Sequence, residues 1–509
     1  MMPTTPGSVR SNSRWMEKLF RGLIIAFCFA FIILDFFIIF SRLFYPYQLE
    51  WMEGAGLVQV SRLLAGKSLY NPPSIEYVPL IYPPLFFYTS AVAAKLIGLG
   101  FGPMRLVSFL SSATCAVVIY LAVSEKTNSK FAALLGAGCF ASTFMLTGQW
   151  FDIARPDMLA AGFSMLAIYL ARENSNVAPL RVTLSGFVLA LAFLSKQSAL
   201  IVCLAAVFYY ILFNRRCAIW LTLSLAISLG VLYAVFWHNT AGWINYYLFT
   251  IPAAHKFEFN PGRIISVLIG QFAPVIAFLI AGLTPVVVSL RKLFRDKSYR
   301  YYIVIAGALI ATGIVGRLNA YSGPNVYTPS YLGIALLVGL EAGWLIELAK
   351  QAKIHSSLIL AEWVLLSAQF GFLIPAYFQS KTIPTQQDRA AGDALVARIK
   401  SYSGDVVLLD NNYLALYANK TPYFNEMAMA EVNGLGNLYP QPQWKDLEPQ
   451  VEILTHAPTT DAVIVDFTLP VKPMITGCAE QPIRYADKTI FEPVAGPPNS
   501  RPSLIITCK

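Results

Sequence analysis

Long apolar segments that recur along most of the chain constrain this sequence more than any other feature. The first spans about residues 22–44 and follows a polar, basic start that contains Arg10, Arg14 and Lys18. Ten further apolar segments lie at 104–123, 131–148, 158–171, 182–194, 197–213, 218–237, 264–290, 301–316, 328–348 and 357–378. A helix needs about 20 apolar residues to cross a bilayer, and several of these segments are shorter. The pattern predicts an α-helical polytopic membrane protein with about eleven spans.

The composition excludes several other classes of protein. Only 13% of the 509 residues are charged, against roughly 25% in soluble proteins, and the mean hydropathy is +0.56. An ordinary cytosolic enzyme, a disordered chain and a nucleic-acid-binding protein are therefore excluded. The net charge of +10 resides in the apolar part, because residues 382–509 hold 10 Lys/Arg against 14 Asp/Glu. We expect these Lys and Arg residues to indicate which loops are cytoplasmic and to contact anionic membrane lipids.

The charged loops indicate an orientation. The segment 80–98 opens with Tyr82-Pro83-Pro84 and carries Lys95, so we interpret it as interfacial or re-entrant rather than spanning. Five short basic loops then fall on the side of the N-terminus: 125–130, 172–181, 214–216, 291–300 and 349–356. Short basic loops are typical of the cytoplasmic side. The sequence thus predicts a cytoplasmic N-terminus at 1–19, a membrane domain at 20–380 and an extracytoplasmic C-terminus, in a cell (inner) membrane.

Residues 382–509 are predicted to form a separate extracytoplasmic α/β domain. An amphipathic helix is expected at 393–402, and buried strands at 405–410, 462–467 and 503–508. Cys478 and Cys508 are the two cysteines of this polar region, and they form a disulfide or remain two unpaired thiols, depending on the compartment.

Two acidic clusters are candidates for chemistry. Glu50 and Glu53 stand at the start of the outer loop 45–80, and their separation of three places them on one face if a helix begins there. They are candidates for a general base or metal ligands, and the alternative is a solvated loop start. Asp152, Arg155 and Asp157 form the second cluster, between two apolar helices. Charges in such a position are costly and usually functional, and the alternative is a structural Asp–Arg ion pair.

Basic and aromatic residues join these clusters on the same predicted side. Arg105, Lys196, Arg263 and Arg317 are cations of the type that binds the phosphate of a lipid, although each alone is equally consistent with snorkelling to the interface. The loop 238–263 is aromatic and contains His238 and His255. Its aromatic rings either stack on a sugar or form an interfacial belt, and two histidines alone are weak evidence for a metal.

Several motifs together resemble those of GT-C membrane glycosyltransferases, in particular the family of protein O-mannosyltransferases and the lipid A aminoarabinose transferase. The resemblance covers roughly residues 20–380. The matching residues are Glu53, Gly66, Tyr70, 82-YPPLFFY-88, Arg105 with Ser108, 152-DIARPDML-159 and Lys196. Their order and spacing carry the resemblance, whereas no single motif is strong. One departure concerns the family's Asp-Glu pair, because Met52 occupies the Asp position.

The resemblance implies transfer of a sugar from a polyprenyl-phosphate donor to a lipid, glycan or protein acceptor at the outer face of the membrane, with inversion. It implies a carboxylate base, for which Glu53 is favoured by its spacing to Gly66 and Tyr70, with Glu50 second. The further candidate site residues, from the motifs and from the polar loops together, are Asp152 and Asp157 as catalytic groups, and Tyr82, Arg105, Arg155, Lys196, His255 and Arg317 for the donor phosphate or substrate. A divalent metal is a candidate cofactor, with Glu50, Glu53 and Asp157 as its ligands. The alternatives are a transporter or flippase of a lipid-linked or anionic substrate and an inactive scaffold.

Overall fold

The computed structural model describes residues 6–173, 178–320, 322–433, 447–465, 478–497 and 499–508. Helices dominate up to residue 379, and a small mixed unit of helices and strands follows. In the first half of the helical part the helices are α1 (Pro6–Arg42), α2 (Glu53–Leu64), α3 (Leu85–Ile97), α4 (Phe101–Thr127), α5 (Lys130–Ala141), α6 (Pro156–Leu170), α7 (Pro179–Ser195), α8 (Leu200–Phe213) and α9 (Arg215–Asn239). In the second half they are α10 (Trp243–Asn245), α11 (Ile251–Ala253), α12 (Pro261–Phe272), α13 (Ile276–Arg295), α14 (Lys297–Leu318), α15 (Thr328–Lys350), α16 (Ser356–Leu373) and α17 (Ala376–Gln379). Single turns at Gln197–Ala199, Tyr246–Thr250, Ala273–Val275 and Pro324–Tyr327 join several of them.

The chain is a multi-pass membrane protein. Within the described residues, seven helical segments are long and apolar enough to cross a bilayer, and the first of them ends at Arg42. Four predicted spans correspond instead to apolar helices of 10–17 residues: Lys130–Ala141, Pro156–Leu170, Pro179–Ser195 and Gln197–Phe213. The span count of eleven is therefore confirmed only for the seven long helices. Segment 80–98 folds as α3, a helix of 13 residues that begins after Pro84.

Small residues allow the central helices to approach closely. A Cβ added to Gly136 of α5 would lie 3.1 Å from the carbonyl oxygen of Ala335 in α15. A Cβ on Gly339, one turn further along α15, would lie 2.8 Å from a methyl carbon of Val123. In a membrane, where association depends on packing rather than on water exclusion, such contacts hold helices together. This packing buries α15 at the centre of the helical part and fixes the helix ends that carry the site.

The C-terminal unit contains a four-stranded sheet in the order β1-β2-β4-β3. Its helices are α18 (Gln386–Ser401), α19 (Tyr413–Tyr417), α20 (Glu426–Asn433) and α21 (Leu447–Thr455), and its strands are β1 (Asp405–Leu408), β2 (Thr460–Val465), β3 (Ala479–Pro482) and β4 (Leu504–Thr507). β1 pairs with β2 in parallel, and the other two pairings are antiparallel. The three predicted strands are present, although residues 466 and 467 of one lie outside the described part. β3 was not predicted, because all four of its residues are exposed and polar or small.

The amphipathic helix predicted at 393–402 begins earlier in the structure than the apolar pattern indicated. α18 starts at Gln386, where Thr385 and Asp388 form a capping box that satisfies backbone N–H groups at the helix start. Asp388 also accepts hydrogen bonds from Lys381 Nζ at 2.7 Å and from the backbone N–H of Phe491 at 2.6 Å. The cap therefore connects the end of the membrane part to the last segment of the C-terminal unit.

The C-terminal unit rests on the chain between α1 and α2. Tyr47 donates a hydrogen bond to Asp393 at 2.6 Å, and Gln48 donates one to Asn411 at 2.7 Å. The backbone N–H of Ala495 donates to the carbonyl of Leu49 at 2.9 Å, beside Glu50. The loop that carries the first acidic cluster is thus held between the helical part and the C-terminal unit.

Candidate functional site

The first acidic cluster does not lie on one helix face, contrary to the prediction. α2 begins at Glu53, and Glu50 precedes it in an extended segment that bridges to Ala495. The Glu53 carboxylate folds back along the chain and accepts a hydrogen bond from the N–H of Leu49 at 2.6 Å. Glu50 instead accepts from the N–H of Met52 at 3.1 Å. The two carboxylates therefore point into different surroundings.

Glu50 forms an ion pair with the second acidic cluster. Arg155, the residue before α6, donates from Nη1 to Glu50 Oε2 at 3.0 Å and from Nη2 to the Tyr82 hydroxyl at 2.6 Å. Glu50 is 1% exposed. Burial raises the pKa of its carboxyl to about 7, and the charge of Arg155 opposes this shift while that of Glu53 adds to it. In the described part of the chain, Glu50 Oε1 makes no hydrogen bond.

Asp157 and Lys196 form a second ion pair next to the first. Lys196 directly follows α7 in an extended conformation. Its Nζ lies 2.5 Å from Asp157 Oδ1. Asn325 donates to the same oxygen at 2.8 Å. Asp157 Oδ2 and Arg155 Nε are buried and have no hydrogen-bond partner among the described residues. Two carboxylates and two cations, with polar atoms still available for a ligand, therefore meet at the ends of α6 and α7.

These four residues line a cavity of about 960 Å³. Its polar wall includes Glu50, Tyr82, Arg155, Asp157, Lys196, His255, Arg317, Asn325 and Glu431. The apolar wall lies deeper along the helices, where Ala160, Ala161 and Ser164 follow Asp157 by one to two turns of α6. On α14 and α15 the lining likewise continues through Leu309 and Leu332. The cavity is therefore polar at the helix ends and apolar within the helical part.

Two apolar residues of the cavity lining are partly exposed at the surface of the helical part. Leu200 of α8 is 44% exposed and Val315 of α14 is 40% exposed, and both line the cavity. Both helices are apolar, so exposed side chains of this kind suit contact with lipid. A molecule with a polar head and an apolar chain matches this shape.

Glu53 and Arg105 lie outside the cavity, although the sequence placed both in the site. Their side chains are 0% exposed and form an ion pair at 2.7 Å. Glu53 also accepts from the N–H groups of Leu49 and Ala154, both at 2.6 Å. Arg105 additionally donates to backbone carbonyls of the loop after α1, including that of Tyr47 at 2.7 Å. These bonds occupy both groups and hold the loop that carries Glu50.

Asp152 is likewise absent from the cavity lining. It forms a two-fold hydrogen-bonded ion pair with Arg42 at the end of α1, at 2.8 and 2.5 Å, and both side chains are 0% exposed. Arg42 also donates to Gln149 at 2.8 Å and to the carbonyl of Thr382 at 2.9 Å. Asp152 thus belongs to a structural Asp–Arg pair, but its partner is Arg42 rather than Arg155, and neither side chain is exposed, whereas the predicted alternative had one exposed partner.

His255 and Arg317 form a further part of the cavity wall. The side-chain amide of Asn319 lies 3.4 Å from His255 Nδ1, and burial lowers the pKa of the imidazole. Arg317 donates to Tyr327 at 3.2 Å and to Ser322. Arg263 supports this wall from outside the cavity, since it donates to the carbonyl of Arg317 at 2.9 Å. The loop 238–263 therefore contributes to the site through His255, whereas His238 is exposed and does not line the cavity.

The C-terminal unit supplies cavity residues that sequence reasoning missed. Met427 and Glu431 of α20 line the cavity, together with the segment 494–497. α20 is positioned at its start by Asn425, which donates to the carbonyl of Asp410 at 3.0 Å. No sequence signal indicates this contribution, because α20 lies in a different unit from the membrane helices. Asn325 could have been found, since it stands in the polar stretch that follows Arg317.

Two of the three carboxylates predicted as ligands of a divalent metal suit that role. Glu53 does not fit, because both of its oxygens already accept N–H groups. Glu50 and Asp157 fit better, since each lines the cavity with one oxygen that is outside the hydrogen bonds described above. Oxygen ligands of this kind suit a hard divalent cation.

Comparison with known proteins identifies the fold. Residues 82–241 match the sequence family described as dolichyl-phosphate-mannose-protein mannosyltransferase. Among solved structures, the chain is similar to ArnT from Cupriavidus metallidurans bound to undecaprenyl phosphate, with a TM-score of 0.61, 12% identity, and coverage of 94% of this chain and 97% of that one. A comparison with curated protein sequences finds no match.

A second group of similar structures is archaeal. The oligosaccharyltransferase AglB from Archaeoglobus fulgidus, in complex with an inhibitory peptide and a dolichol-phosphate, has a TM-score of 0.53 and 12% identity, covering 89% of this chain and 70% of that one. The apo form of an oligosaccharyltransferase from the same organism has a TM-score of 0.55 and 11% identity, covering 87% and 69%. These similarities confirm the predicted resemblance and show that the chain has the GT-C fold with a C-terminal α/β unit.

Proposed function

We propose that this protein transfers a sugar from a polyprenyl-phosphate-linked donor to an acceptor hydroxyl. The observation that supports this most is the cavity, which combines two cations at its polar end with an apolar part that includes the partly exposed Leu200 and Val315. A phosphate with a long apolar tail is the ligand that this combination suits. The similar structures support the proposal, because they were solved with undecaprenyl phosphate and with a dolichol-phosphate.

Lys196 and Arg155 are the proposed ligands of the donor phosphate. The Lys196 ammonium group uses one of its three N–H bonds for Asp157, and Arg155 has a buried Nε that makes no hydrogen bond in the described part of the chain. The remaining N–H groups would donate charge-assisted hydrogen bonds to the phosphate oxygens. When the sugar leaves, negative charge grows on that phosphate, and cations fixed beside it lower the barrier.

Glu50 is the proposed general base. The acceptor hydroxyl must lose a proton during transfer, so a carboxylate in the cavity has to accept it. Glu50 lines the cavity, and burial raises the pKa of its carboxyl to about 7, which is near the pH at which a general base works best. Direct displacement of the phosphate by the acceptor would invert the anomeric carbon. Tyr82, which receives a hydrogen bond from Arg155, would help to orient the sugar.

Asp157 is proposed to orient Lys196 and, through Oδ2, to bind a polar group of the substrate. A divalent cation would be held by Glu50 and Asp157, and it would stabilise negative charge on the phosphate. The lipid, glycan or protein acceptor would approach from the side of the C-terminal unit, past His255 and Arg317. We propose that this side is extracytoplasmic and that the N-terminus is cytoplasmic, in the inner membrane of a cell.

A transfer assay separates this function from its rivals. Purified protein is incubated with a panel of labelled polyprenyl-phosphate sugars and with membrane extract, and the products are analysed for a new glycosidic bond. Transfer of the label with inversion supports the proposal. Movement of labelled lipid across vesicles without a new bond would identify a transporter or flippase, and the absence of both would identify a scaffold.

A further inference from the structure

A cluster of three potential metal ligands lies at one edge of the C-terminal sheet, and none of the three lines the cavity. Cys478 precedes β3 and Cys508 follows β4, and the pairing of Ala479 with Thr507 places them opposite each other. They form a disulfide with a Cα–Cα distance of 4.4 Å. His456, directly after α21, places Nε2 3.5 Å from Cys478 Sγ. The three ligand atoms lie within 4.8 Å of one another.

The imidazole of His456 is oriented as a metal ligand would be. Its Nδ1 lies 2.9 Å from the carbonyl oxygen of Glu452. A carbonyl only accepts, so Nδ1 carries the hydrogen and the lone pair is on Nε2, which faces the sulfur. Metal-binding histidines commonly donate their second nitrogen to a backbone carbonyl in this way, which fixes both the tautomer and the ring orientation.

We propose that His456, Cys478 and Cys508 bind one zinc ion when the disulfide is reduced, so that the disulfide and the zinc site are alternative states of one cluster. A dithiol or phosphine reductant supplies two electrons, is itself oxidised, and leaves two cysteine thiols. Zn²⁺ then displaces one proton from each thiol and bonds to both thiolates and to His456 Nε2, with water as the fourth ligand. Two sulfurs and one imidazole nitrogen are a ligand set that zinc prefers.

The distances fit this change with little rearrangement. In a tetrahedral site with ordinary zinc–ligand bonds, a nitrogen and a sulfur ligand are separated by about 3.5 Å, and two sulfur ligands by about 3.8 Å. His456 Nε2 and Cys478 Sγ already have the first separation at 3.5 Å. Reduction frees the two sulfurs to move apart, and the pairing of Ala479 with Thr507 keeps the two cysteines close.

No other cysteine of the chain is placed to compete. The remaining five cysteines, all in the helical part, are at most 5% exposed: Cys28, Cys115, Cys139, Cys203 and Cys217. The zinc gained on reduction is therefore expected to be one ion per chain and to depend on a histidine of the C-terminal unit.

The full-length protein in detergent tests this proposal. It is reduced with a phosphine or left oxidised, exposed to Zn²⁺ alone, freed of excess metal and analysed for zinc per chain. We expect the reduced protein to hold about one zinc ion per chain more than the oxidised protein. Zinc should also protect Cys478 and Cys508 from alkylation. Equal zinc contents before and after reduction would overturn the proposal.

Matched variants identify the ligands. His456→Ala and Cys508→Ser should weaken zinc binding by at least roughly tenfold, since removing even an outer partner of a metal ligand has that effect. His355→Ala and Cys217→Ser, which change the same residue types elsewhere, should leave it unchanged. Oxidised His456→Ala retains the disulfide, so its thermal midpoint reports whether the variant folds. Unchanged zinc affinity in folded His456→Ala would contradict the assignment.

Discussion

Arg155 Nη1 lies 3.0 Å from Glu50 Oε2, and this ion pair joins two segments that are 105 residues apart in the sequence. It brings the loop after α1 and the start of α6 to one polar corner of the cavity. The cation stabilises the ionised carboxylate, whereas burial favours the protonated form, and the pKa of Glu50 lies at about 7 as a result. A carboxylate with this pKa can change its protonation state during a reaction near neutral pH.

The first prediction concerns the pH dependence of transfer. A general base acts only when ionised, so kcat/KM should rise as the pH increases through about 7 and then level off. Replacing Arg155 by Gln removes the cation that lowers the pKa of Glu50, and the inflection should move to higher pH. The control is Arg317→Gln, which changes another cation of the cavity lining and should leave the inflection in place. A profile without an inflection between pH 6 and pH 8 would count against Glu50 as the base.

The second prediction concerns Lys196 and the donor phosphate. Lys196→Met should weaken the binding of labelled undecaprenyl phosphate to the purified protein by roughly tenfold to a hundredfold, the worth of a charge-assisted hydrogen bond. Lys196→Arg should retain part of the affinity, because it keeps the charge. Lys126→Met serves as the control, since Lys126 pairs with Asp296 away from the cavity. Equal binding by Lys196→Met and Lys126→Met would exclude Lys196 as a phosphate ligand.

The third prediction concerns the contribution of the buried Arg42–Asp152 ion pair to stability. Asp152→Asn breaks a fully buried ion pair and leaves Arg42 without its carboxylate, which should reduce the free energy of unfolding by about 3–5 kcal/mol. Asp296→Asn breaks an ion pair whose carboxylate is 43% exposed and should have little effect. The thermal midpoints of both variants in detergent measure the difference. Similar midpoints would show that the Arg42–Asp152 pair contributes nothing to stability.

The fourth prediction concerns topology. Reporter fusions after Lys130, Arg216 and Arg300 should report the cytoplasm, because these positions belong to the short basic loops. Fusions after Arg155 and at Lys509 should report the outside. A fusion at Arg300 that reports the outside would reverse the orientation and place the cavity on the cytoplasmic side.

Hydropathy and motif order were sufficient to predict the helical part and the fold. Long apolar helices such as α1 are visible in the sequence because a bilayer requires an apolar length. α5 has only 12 residues, which is shorter than the apolar length that a span requires. It is stable because other helices surround it. β3 escaped prediction because an exposed strand at the sheet edge needs no apolar pattern. Elements held by tertiary contacts are thus the ones that sequence patterns miss.

The sequence indicated which charged residues are candidates for the site, but it did not indicate which of them form ion pairs with one another. The sequence indicates that Glu53, Asp152 and Arg105 are charged residues in apolar surroundings, and all three are buried in ion pairs outside the cavity. Their partners are 52 and 110 residues away, so a linear pattern cannot assign them. Family spacing favoured Glu53 as the base, whereas the geometry favours Glu50, because only Glu50 lines the cavity.

The turnover of Glu50→Gln, measured beside Glu53→Gln, tests the central claim most directly. Both changes keep the size of the side chain and remove its charge. Glu50→Gln should lower kcat by on the order of 10²–10⁴ with a thermal midpoint close to that of the unaltered protein. Glu53→Gln should mainly lower the thermal midpoint, because it disrupts the buried pair with Arg105. Full turnover in Glu50→Gln, at unchanged expression, would show that Glu50 is not the base and would contradict the proposed mechanism.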